Sequence, residues 1–413
     1  MSWPLKPLNE LCLLAVDCVN KTAPVVDYDT GYRMIRTTNI KGGFIDLDNV
    51  RYVTEEVFEK WTRRSRPQYG DVILTREAPV GEVGRFTEDV NNVFLGQRLF
   101  HYRPDPDLLD WNYLAYALLS RQIQGRLKGM GFGATVDHIR VGDAETLAIP
   151  CPPLPVQRSI GSILASYDDL IENNQRRIQL LEESARLLYK EWFVHLRFPG
   201  REHVKVTNGV PEGWSRRRLV DVTSKIGSGA TPKGGASAYQ PEGIALIRSQ
   251  NVYDYRFDSS GLAFINDEQA DRLSNVEVNG SDVLLNITGA SVGRCCLAPD
   301  YHLPARVNQH VMIIRSDSEK FGPHYLLHFI NSYREKQRIL AAAGAGGSTR
   351  EALTKSFVQN LEVTLPSRTL MEQFEDFAKD CFEQKQKLEM QNIRLAKARD
   401  LLLPKLMSGE LAA

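Results

Sequence analysis

Arginine, lysine, amide and hydroxyl side chains are gathered in short loops of this sequence, often beside glycines, and their types favour one kind of chemistry. Arginine, asparagine and glutamine can each form two hydrogen bonds with the edge of a purine base, and glycine-rich loops let backbone amides approach phosphate. These loops therefore predict recognition of double-stranded DNA. The candidate DNA-binding residues of the first half are Arg36, Thr38, Asn39, Arg76, Arg98, Lys128 and Arg140. Those of the second half are Thr231, Lys233, Arg248, Ser249, Asn251, Arg294, Arg306, Gln309 and Arg350.

Two of the polar stretches have an equally good structural interpretation. WTRRSR (61–66) also suits a solvated charge cluster on the protein surface. GAGGSTR (344–350) also suits a flexible loop that leads into a capped turn. The sequence leaves both alternatives open.

No motif for catalysis accompanies these loops. The stretch GATPKGG (229–235) has its lysine ahead of the second glycine, so it does not match a phosphate-binding P-loop. A Glu-x-Lys triplet at Glu383–Lys385 has no second acidic residue at the spacing of a nuclease site, and the eight histidines include no pair with metal-binding spacing. We therefore expect a binding protein, not an enzyme, with no cofactor or metal of its own.

The composition is typical of a soluble globular protein with more than one domain. The chain has 413 residues, of which 42% are hydrophobic, and its 51 Lys and Arg balance its 51 Asp and Glu. This length favours two to three domains, and the charge balance confines any basic DNA-binding surface to part of the molecule. No apolar run reaches the roughly 18 residues that cross a bilayer, and the cysteines have no metal-binding spacing. We expect a cytoplasmic protein with reduced thiols.

The sequence contains an internal repeat. GYRMIRTTNI (31–40) is matched by GIALIRSQNV (243–252), 212 residues further along the chain. DVILT (71–75) is matched by DVLLN (282–286) at almost the same offset. Agreement over separate blocks at a nearly constant offset predicts two copies of one module. Each copy mixes strands with a few helices, so we assign the fold class α+β.

A long amphipathic segment follows each copy. Apolar residues recur at alternating spacings of three and four over about four heptads, which is the pattern of a coiled-coil seam. Core packing in a helical domain is the alternative interpretation of one such stripe. Two similar stripes favour an antiparallel helix pair with a globular unit at either end and an internal pseudo-two-fold symmetry. The predicted seam residues are Tyr167, Leu170, Asn174, Leu181, Leu188, Phe377, Gln384, Leu388, Leu395 and Leu402.

The chain resembles the DNA specificity subunits of type I restriction-modification systems over essentially its full length. IGSGATPKGG (226–235) and DVLLNITGASVGR (282–294) are similar to stretches of that family's target recognition domains. PLPVQRSIGSIL (153–164) resembles the start of its first spacer helix, and ARDLLLPKLMSGEL (398–411) resembles its C-terminal end.

The resemblance implies two mixed α/β target recognition domains, at residues 1–153 and 199–365, separated by an antiparallel coiled coil of spacer helices at 154–198 and 366–413. Each recognition domain would read one half of a bipartite, asymmetric DNA site. The coiled coil would set the gap and dock two methyltransferase subunits, which motor-nuclease subunits would join.

The same resemblance implies that S-adenosylmethionine, ATP and Mg belong to the partner subunits and not to this chain. A fused methyltransferase-nuclease is an alternative to separate partner chains. Two other classes of function stay open, namely a coiled-coil scaffold with two protein-binding heads and an unrecognised DNA-modifying enzyme.

Overall fold

The computed structural model describes residues 3–19, 21–130, 138–317, 319, 321–344 and 352–411. The chain divides into two compact units. Unit 1 comprises Met1–Asn173 and Asn392–Ala413, and unit 2 comprises Asn174–Gln391. Each unit therefore includes a globular part and a segment of each of two long helices.

Unit 1 is a mixed α/β structure. Its strands are β1 (Leu5–Pro7), β2 (Cys12–Asp17), β3 (Arg33–Ile35), β4 (Ile40–Lys41), β5 (Phe44–Ile45), β6 (Arg51–Tyr52), β7 (Val72–Thr75), β8 (Val83–Arg85), β9 (Val93–Leu95), β10 (Leu99–Pro104) and β11 (Ala148–Pro150). Its helices are α1 (Glu55–Trp61), α2 (Trp111–Leu119), α3 (Arg121–Gly129), α4 (Val141–Glu145) and the first part of the long α5 (Leu154–Tyr189).

Two sheets form the frame of unit 1. The larger is antiparallel with strand order β2-β10-β7-β8, and the smaller has the order β6-β3-β9 with β3 and β9 parallel. The strand β7 is buried on both faces, and its residues are apolar except for the last, Thr75. Val72 and Leu74 contribute to the core that contains α2, whereas Ile73 contributes to a second core with Ile35 and Leu95.

Unit 2 repeats this architecture. Its strands are β12 (Val206–Thr207), β13 (Val210–Pro211), β14 (Ser215–Arg218), β15 (Thr223–Ser228), β16 (Ile244–Ile247), β17 (Ala263–Ile265), β18 (Glu277–Val278), β19 (Val283–Asn286), β20 (Cys295–Leu297), β21 (Ala305–Val307), β22 (Val311–Ser316) and β23 (Glu362–Leu365). Its helices are α6 (Leu219–Val222), α7 (Asp267–Arg272), α8 (Pro323–Asn331), α9 (Tyr333–Gly344), α10 (Lys355–Gln359) and the first part of the long α11 (Arg368–Ser408).

The sheets of unit 2 have the plan of those of unit 1, with one additional strand, β18, in the second sheet. An antiparallel sheet has the order β15-β22-β19-β20, and a second sheet has the order β17-β16-β21-β18, with β16 and β21 parallel. In β19, Val283 and Leu285 enter one core and Leu284 enters the other. The predicted repeat is therefore present in the strand order and in the facing of equivalent side chains.

An equivalent ion pair supports the strand ends in each unit. The guanidinium of Arg103 donates two hydrogen bonds of 2.8 Å to the two carboxylate oxygens of Asp71. Arg315 donates two of 2.7 Å to Asp282. Both carboxylates are buried, and a bidentate pair of this kind fixes the geometry as well as the charge. Neither pair was predicted, because the sequence shows only that each aspartate precedes an apolar strand.

The predicted helical seam agrees with the structure in part. Asn174 and Leu388 are buried, and Leu181 and Leu188 pack against the core of unit 2. Leu402 packs against the core of unit 1. Tyr167 and Leu395, which were also predicted for the seam, are half-buried.

Three seam assignments are wrong. Leu170 and Phe377 are 50% and 41% exposed, and Gln384 is exposed as well. In α11 the neighbouring residues Ala378 and Lys385 are buried instead. A heptad pattern favours Phe377 over Ala378 and the neutral Gln384 over Lys385. The structure buries the alanine, and it buries the lysine because a carboxylate pairs with it.

An ion pair joins the two long helices within each unit. In unit 1, Arg399 of α11 donates to Asp168 of α5 at 2.5 Å. In unit 2, Lys385 of α11 binds Glu182 of α5. α5 begins at Leu154 and α11 at Arg368.

Candidate nucleic-acid interface

The turn that follows β3 in unit 1 is held by a buried asparagine. The side-chain oxygen of Asn39 accepts a hydrogen bond from the backbone N–H of Arg36 at 3.0 Å, and its amide donates to the carbonyl of Asn49 at 2.9 Å. Asn39 is 4% exposed, so it fixes the turn. The prediction that its amide contacts a base is wrong. The turn presents Arg36, which is half-buried, and Thr38, which is exposed.

A cleft of about 200 Å³ opens beside this turn. Its lining includes three predicted residues, Arg36, Thr38 and Arg98. It also includes Arg51 and Gln97, which the sequence analysis did not select as binding residues. Arg51 is the first residue of a two-residue strand, and nothing in its sequence surroundings marks it as part of a site.

The guanidinium of Arg36 has unused hydrogen-bonding capacity. Its Nε is buried and has no hydrogen-bond partner among the residues that the structure describes. Burial lowers the pKa of Arg36, and the nearby charge of Arg51 lowers it further. Two cations on one cleft favour a ligand with phosphate or purine acceptors. Arg98, in contrast, is paired with Glu77 at 3.1 Å.

Unit 2 contains the same turn with different exposed side chains. The side-chain oxygen of Asn251 accepts a hydrogen bond from the backbone N–H of Arg248 at 3.0 Å, and its amide donates to the carbonyl of Asp258 at 2.9 Å. Asn251 is fully buried, so the predicted base contact is again replaced by a role in holding the turn. Gln250 is exposed in the position that Thr38 occupies in unit 1.

Two tyrosines orient the arginines of unit 2. The guanidinium of Arg248 lies 5.1 Å from the ring centre of Tyr239. Those of Arg294 and Arg256 lie 4.5 and 4.7 Å from the ring centre of Tyr253. Such contacts fix the plane of a guanidinium while leaving N–H groups for a ligand. The Nε of Arg248 is buried and unpartnered within the described part of the chain.

A connected group of polar residues lies beside the unit 2 turn. The amide of Asn286, at the end of β19, donates to the carbonyl of Ser249 at 2.8 Å. The hydroxyl of Thr288 and Nδ1 of His310 are 2.6 Å apart, and Nε2 of His310 lies 3.0 Å from the amide of Gln309. Of these residues only Ser249 and Gln309 were predicted. The signal for Asn286 was its place as the polar residue that ends a buried strand.

The glycine-rich loop of unit 2 holds two further predicted residues. Thr231 and Lys233 are exposed, and the backbone N–H of Lys233 donates to the side chain of Gln269 at 3.1 Å. The loop starts close to β21, since a Cβ built on Gly229 would lie 1.7 Å from the carbonyl oxygen of Val307. Only glycine permits this approach.

Two predicted arginines lie in the interior. Arg76 is 5% exposed and donates to the carbonyl of Ile139 at 2.9 Å. Arg306 is 7% exposed and donates to the carbonyl of Ala270 at 3.1 Å. Each guanidinium binds backbone of its own unit, so the structure contradicts their selection as DNA contacts.

The other predicted residues lie apart from the unit 1 cleft or outside the described residues. Lys128 is exposed on α3, and Arg140 is exposed immediately before α4. Neither is among the described residues that line the cleft. Arg350 lies outside the described residues.

The basic stretch at 61–66 forms ion pairs within unit 1. Arg64 lies 2.5 Å from Asp17, and Arg66 lies 2.6 Å from Glu59. These pairs favour the structural interpretation of this stretch.

Over residues 3–19, 21–130, 138–317, 319, 321–344 and 352–411, no group of three or more histidine, cysteine or acidic side chains is arranged to hold a metal ion. None of the helices described is both long enough and apolar enough to span a membrane.

Comparisons with known proteins match both units. The model of the type I restriction modification DNA specificity domain matches residues 19–183 and 211–386. The MjaIX specificity subunit of Methanocaldococcus jannaschii, a type I restriction enzyme subunit, is 27% identical over 370 residues, which cover 87% of this chain and 82% of that protein. The HindI specificity subunit of Haemophilus influenzae is 21% identical over 405 residues, covering 83% of this chain and 86% of that one.

A solved structure has the same fold. The S subunit of the type I restriction-modification system from M. genitalium superimposes with a TM-score of 0.63 at 16% sequence identity. The match covers 98% of this chain and 96% of the other.

Proposed function

Because this chain belongs to the type I restriction modification DNA specificity family, we propose that it directs a methyltransferase and restriction complex to a bipartite, asymmetric DNA sequence. Each unit reads one half of the site. The chain is a specificity subunit and not a catalytic one. S-adenosylmethionine, ATP and Mg are therefore bound by its partner subunits. Its place of action is the cytoplasm, where the DNA lies.

The observation that carries this proposal is the same turn in both units with different side chains on it. Asn39 and Asn251 hold the two turns with equivalent hydrogen bonds of 3.0 Å. The exposed central residue is Thr38 in one turn and Gln250 in the other. A hydroxyl and an amide make different hydrogen bonds with base edges. A shared frame with different contact groups suits a reader of two different half-sites.

An arginine lies three residues before each buried asparagine, and it supports the same conclusion. Arg36 and Arg248 occupy equivalent positions, and the Nε of each is buried without a hydrogen-bond partner within the described residues. A buried donor of this kind is costly until it meets an acceptor. Phosphate and purine atoms are acceptors that an arginine binds well.

The ion pairs of the long helices support an antiparallel coiled coil that sets the gap between half-sites. Asp168 pairs with Arg399, and Glu182, further along α5, pairs with Lys385, which comes earlier on α11. Contacts that advance along one helix and retreat along the other are those of an antiparallel pair.

Apolar side chains on the outer faces of these helices support docking of two methyltransferase subunits. Exposed large apolar residues in series are uncommon unless a partner covers them. On α5 and α11 they are Leu170, Leu180, Leu187, Phe377, Ile393 and Leu401, with exposed fractions between 41% and 63%.

The test is a map of methylated adenines in a methylation-free host that expresses this chain with its methyltransferase. We expect one split motif that is absent without the chain. Arg36→Ala should relax one half of the motif and Arg248→Ala the other, while Arg64→Ala, whose side chain is paired with Asp17, should leave both unchanged. A map that does not depend on the chain would refute the proposal. Loss of the same half in both arginine variants would refute the assignment of one unit to each half.

A further inference from the structure

The backbone amides at the start of α2 and of α8 are capped from opposite directions. In unit 1 the N-cap residue of α2, Asp110, uses its own carboxylate, which accepts the backbone N–H of Tyr113 at 2.8 Å. In unit 2 the N-cap residue of α8 is Gly322, which has no side chain to offer. The carboxylate comes instead from Glu375 of α11, which accepts the backbone N–H of Tyr325 at 2.6 Å. The globular part supplies the cap in one unit, and a long helix supplies it in the other.

A glycine faces the capping carboxylate in each unit and leaves room for it. In unit 1 this is Gly161 of α5, where a Cβ would lie 2.6 Å from Oδ1 of Asp110 and 3.0 Å from the backbone nitrogen of Tyr113. In unit 2 it is Gly322 itself, whose Cβ would lie 1.9 Å from Cδ of Glu375. Each unit thus combines one acid with one glycine, and a side chain at either glycine would displace the carboxylate from the helix start.

The two arrangements are equivalent by their place in the fold. Each involves the N-cap residue of the helix that follows β10 or β22. Gly161 and Glu375 each lie seven residues after the first residue of their long helix. The capped residues Tyr113 and Tyr325 share a further contact, since each hydroxyl donates to a carbonyl of the strand that precedes the long helix, at 2.8 and 2.7 Å. The acid and the glycine have therefore exchanged places between the two copies of the module.

We propose that this exchange decides which long helix each globular part accepts, so that the globular part of unit 1 fits the start of α5 and that of unit 2 fits the start of α11. The start of α11 on the globular part of unit 1 would bring Glu375 against Asp110, with two carboxylates at one helix start. The start of α5 on the globular part of unit 2 would leave Gly161 beside Gly322, with no carboxylate for the helix. Repulsion disfavours the first combination, and uncapped amides disfavour the second.

The surroundings of each cap make the first mismatch more costly. Burial raises the pKa of Asp110, so a second negative charge beside this poorly hydrated carboxyl is unfavourable. In unit 2, Oε2 of Glu375 lies 2.8 Å from Nδ1 of His324. Unit 1 has the neutral Asn112 two residues after its N-cap, where unit 2 has this histidine. A glutamate from α11 would therefore find no imidazole partner on the globular part of unit 1.

A chain that contains two copies of one module has to dock each copy on the right helix. Misassembly of similar domains is a characteristic failure of repeat proteins, and it is avoided where the copies differ at the contact. On the proposed function, which this consequence alone requires, the match keeps the reader of each half-site with its own long helix. The match itself depends only on the contacts at the two helix starts.

The test converts each unit to the other combination within the full-length chain. Glu375→Gly gives α11 the residue of α5, and Gly322→Asp gives α8 the N-cap of α2. Gly161→Glu and Asp110→Gly make the reverse changes in unit 1. Gly322 has an extended backbone with φ −79° and ψ 144°, which aspartate adopts without strain. Each single variant is therefore a mismatch, and each double variant of one unit is a match of the other type.

The measurement is backbone hydrogen exchange, read by mass spectrometry in peptides that cover the starts of α2 and α8. Each single variant should speed exchange at the altered helix start about tenfold, because the capped amides lose their acceptor or its position. Each double variant should restore most of the protection. The unaltered unit of the same molecule reports that the chain is folded. Asp376→Gly, at an exposed position beside Glu375, controls for the cost of a glycine in α11 and should leave α8 protected.

Exchange as fast in the double variants as in their single variants would overturn the proposal, because acid and glycine would then not be interchangeable between the two sides of the contact. Natural protection in the single variants would overturn it as well, since the mismatched combinations would be tolerated. The assay contains no DNA and no methyltransferase. Its failure therefore leaves the methylation map as an independent test of the proposed function, and the reverse holds as well.

Discussion

The side-chain oxygen of Asn251 accepts the backbone N–H of Arg248 at 3.0 Å, and 212 residues earlier Asn39 does the same for Arg36 at the same distance. Each asparagine thereby fixes the direction in which the arginine leaves the sheet. The repeated turn therefore positions the arginine in each unit. The exposed side chains on the turn are the ones that differ between the two copies.

Asn251→Ala should destabilise unit 2 and disturb the reading of one half-site. The substitution leaves the buried N–H of Arg248 and the carbonyl of Asp258 without their partner, which costs about 2 kcal/mol. Urea unfolding of the purified chain measures the loss. Gln250→Ala is the matched control, since Gln250 is exposed and its removal should change DNA sequence preference and leave stability nearly unchanged. An Asn251→Ala protein as stable as the natural one would contradict the role assigned to this residue.

The exposed apolar residues of the long helices should govern partner binding. Leu180 is 63% exposed and Phe377 is 41% exposed, so Leu180→Lys and Phe377→Glu should leave the fold intact. Each should reduce co-purification with the methyltransferase about tenfold, because a charge in the centre of an apolar interface is costly. Leu13→Lys, on an exposed residue of β2, is the control and should have no effect. Unchanged recovery of the methyltransferase in both helix variants would place the docking surface elsewhere.

The repeat, the strands and the two long helices could be predicted because they follow from periodicity, and periodicity is written into the sequence. The side that each helix turns to its neighbour could not. Phe377 and Ala378 are adjacent, and only the packing of the neighbouring elements decides that the alanine is buried and the phenylalanine is not. A pattern based on hydrophobicity selects the opposite residue.

The candidate site was predictable in its location and less so in its chemistry. The stretches at 36–39 and 248–251 were selected because they are polar and repeated. The amides of Asn39 and Asn251 are nevertheless occupied by backbone groups that come from 10 and 7 residues away. Residue type says that an amide can bind a base, but only the fold shows whether its hydrogen bonds are already used.

Acid should destabilise unit 1 through Asp71. Burial acts to raise the pKa of this carboxyl, but the hydrogen bonds from Arg103 and the adjacent His101 outweigh it, and the net pKa is lowered. A depressed folded-state pKa means that the stabilisation is fully present above the unfolded value of about 3.9 and is lost as the pH falls through the folded value. Asp71→Asn should lower the free energy of unfolding at pH 7 by about 3 kcal/mol and flatten its dependence on acid pH.

Thermal unfolding between pH 2 and 7 measures both effects of Asp71→Asn. Asp89→Asn, at an exposed position, is the control and should retain the natural pH profile. If Asp71→Asn loses stability but keeps the full acid dependence, another group is responsible for the titration.

His328 should make unit 2 sensitive to mildly acidic pH. Its ring lies 5.6 Å from that of Tyr189 and 5.8 Å from that of Phe374. Burial, helped by the charges of His324 and Arg186, lowers the pKa of His328 to about 3. The neutral ring is stabilising above the unfolded pKa of about 6.5. Below that value the unfolded chain binds a proton that the folded chain does not bind. The free energy of unfolding therefore falls as the pH is lowered towards about 3, and at pH 5 it is reduced by about 2 kcal/mol.

His328→Leu should remove this pH dependence whatever its effect on stability at neutral pH. The measurement is urea unfolding followed by tryptophan fluorescence at pH 7, 6 and 5, with the slope of stability against pH as the result. His203→Leu is the control, since His203 is exposed. If His328 is neutral in the folded chain and takes up a proton on unfolding, its removal must reduce the slope of stability against pH. An equal slope in the His328→Leu protein and the natural one would therefore contradict the assignment.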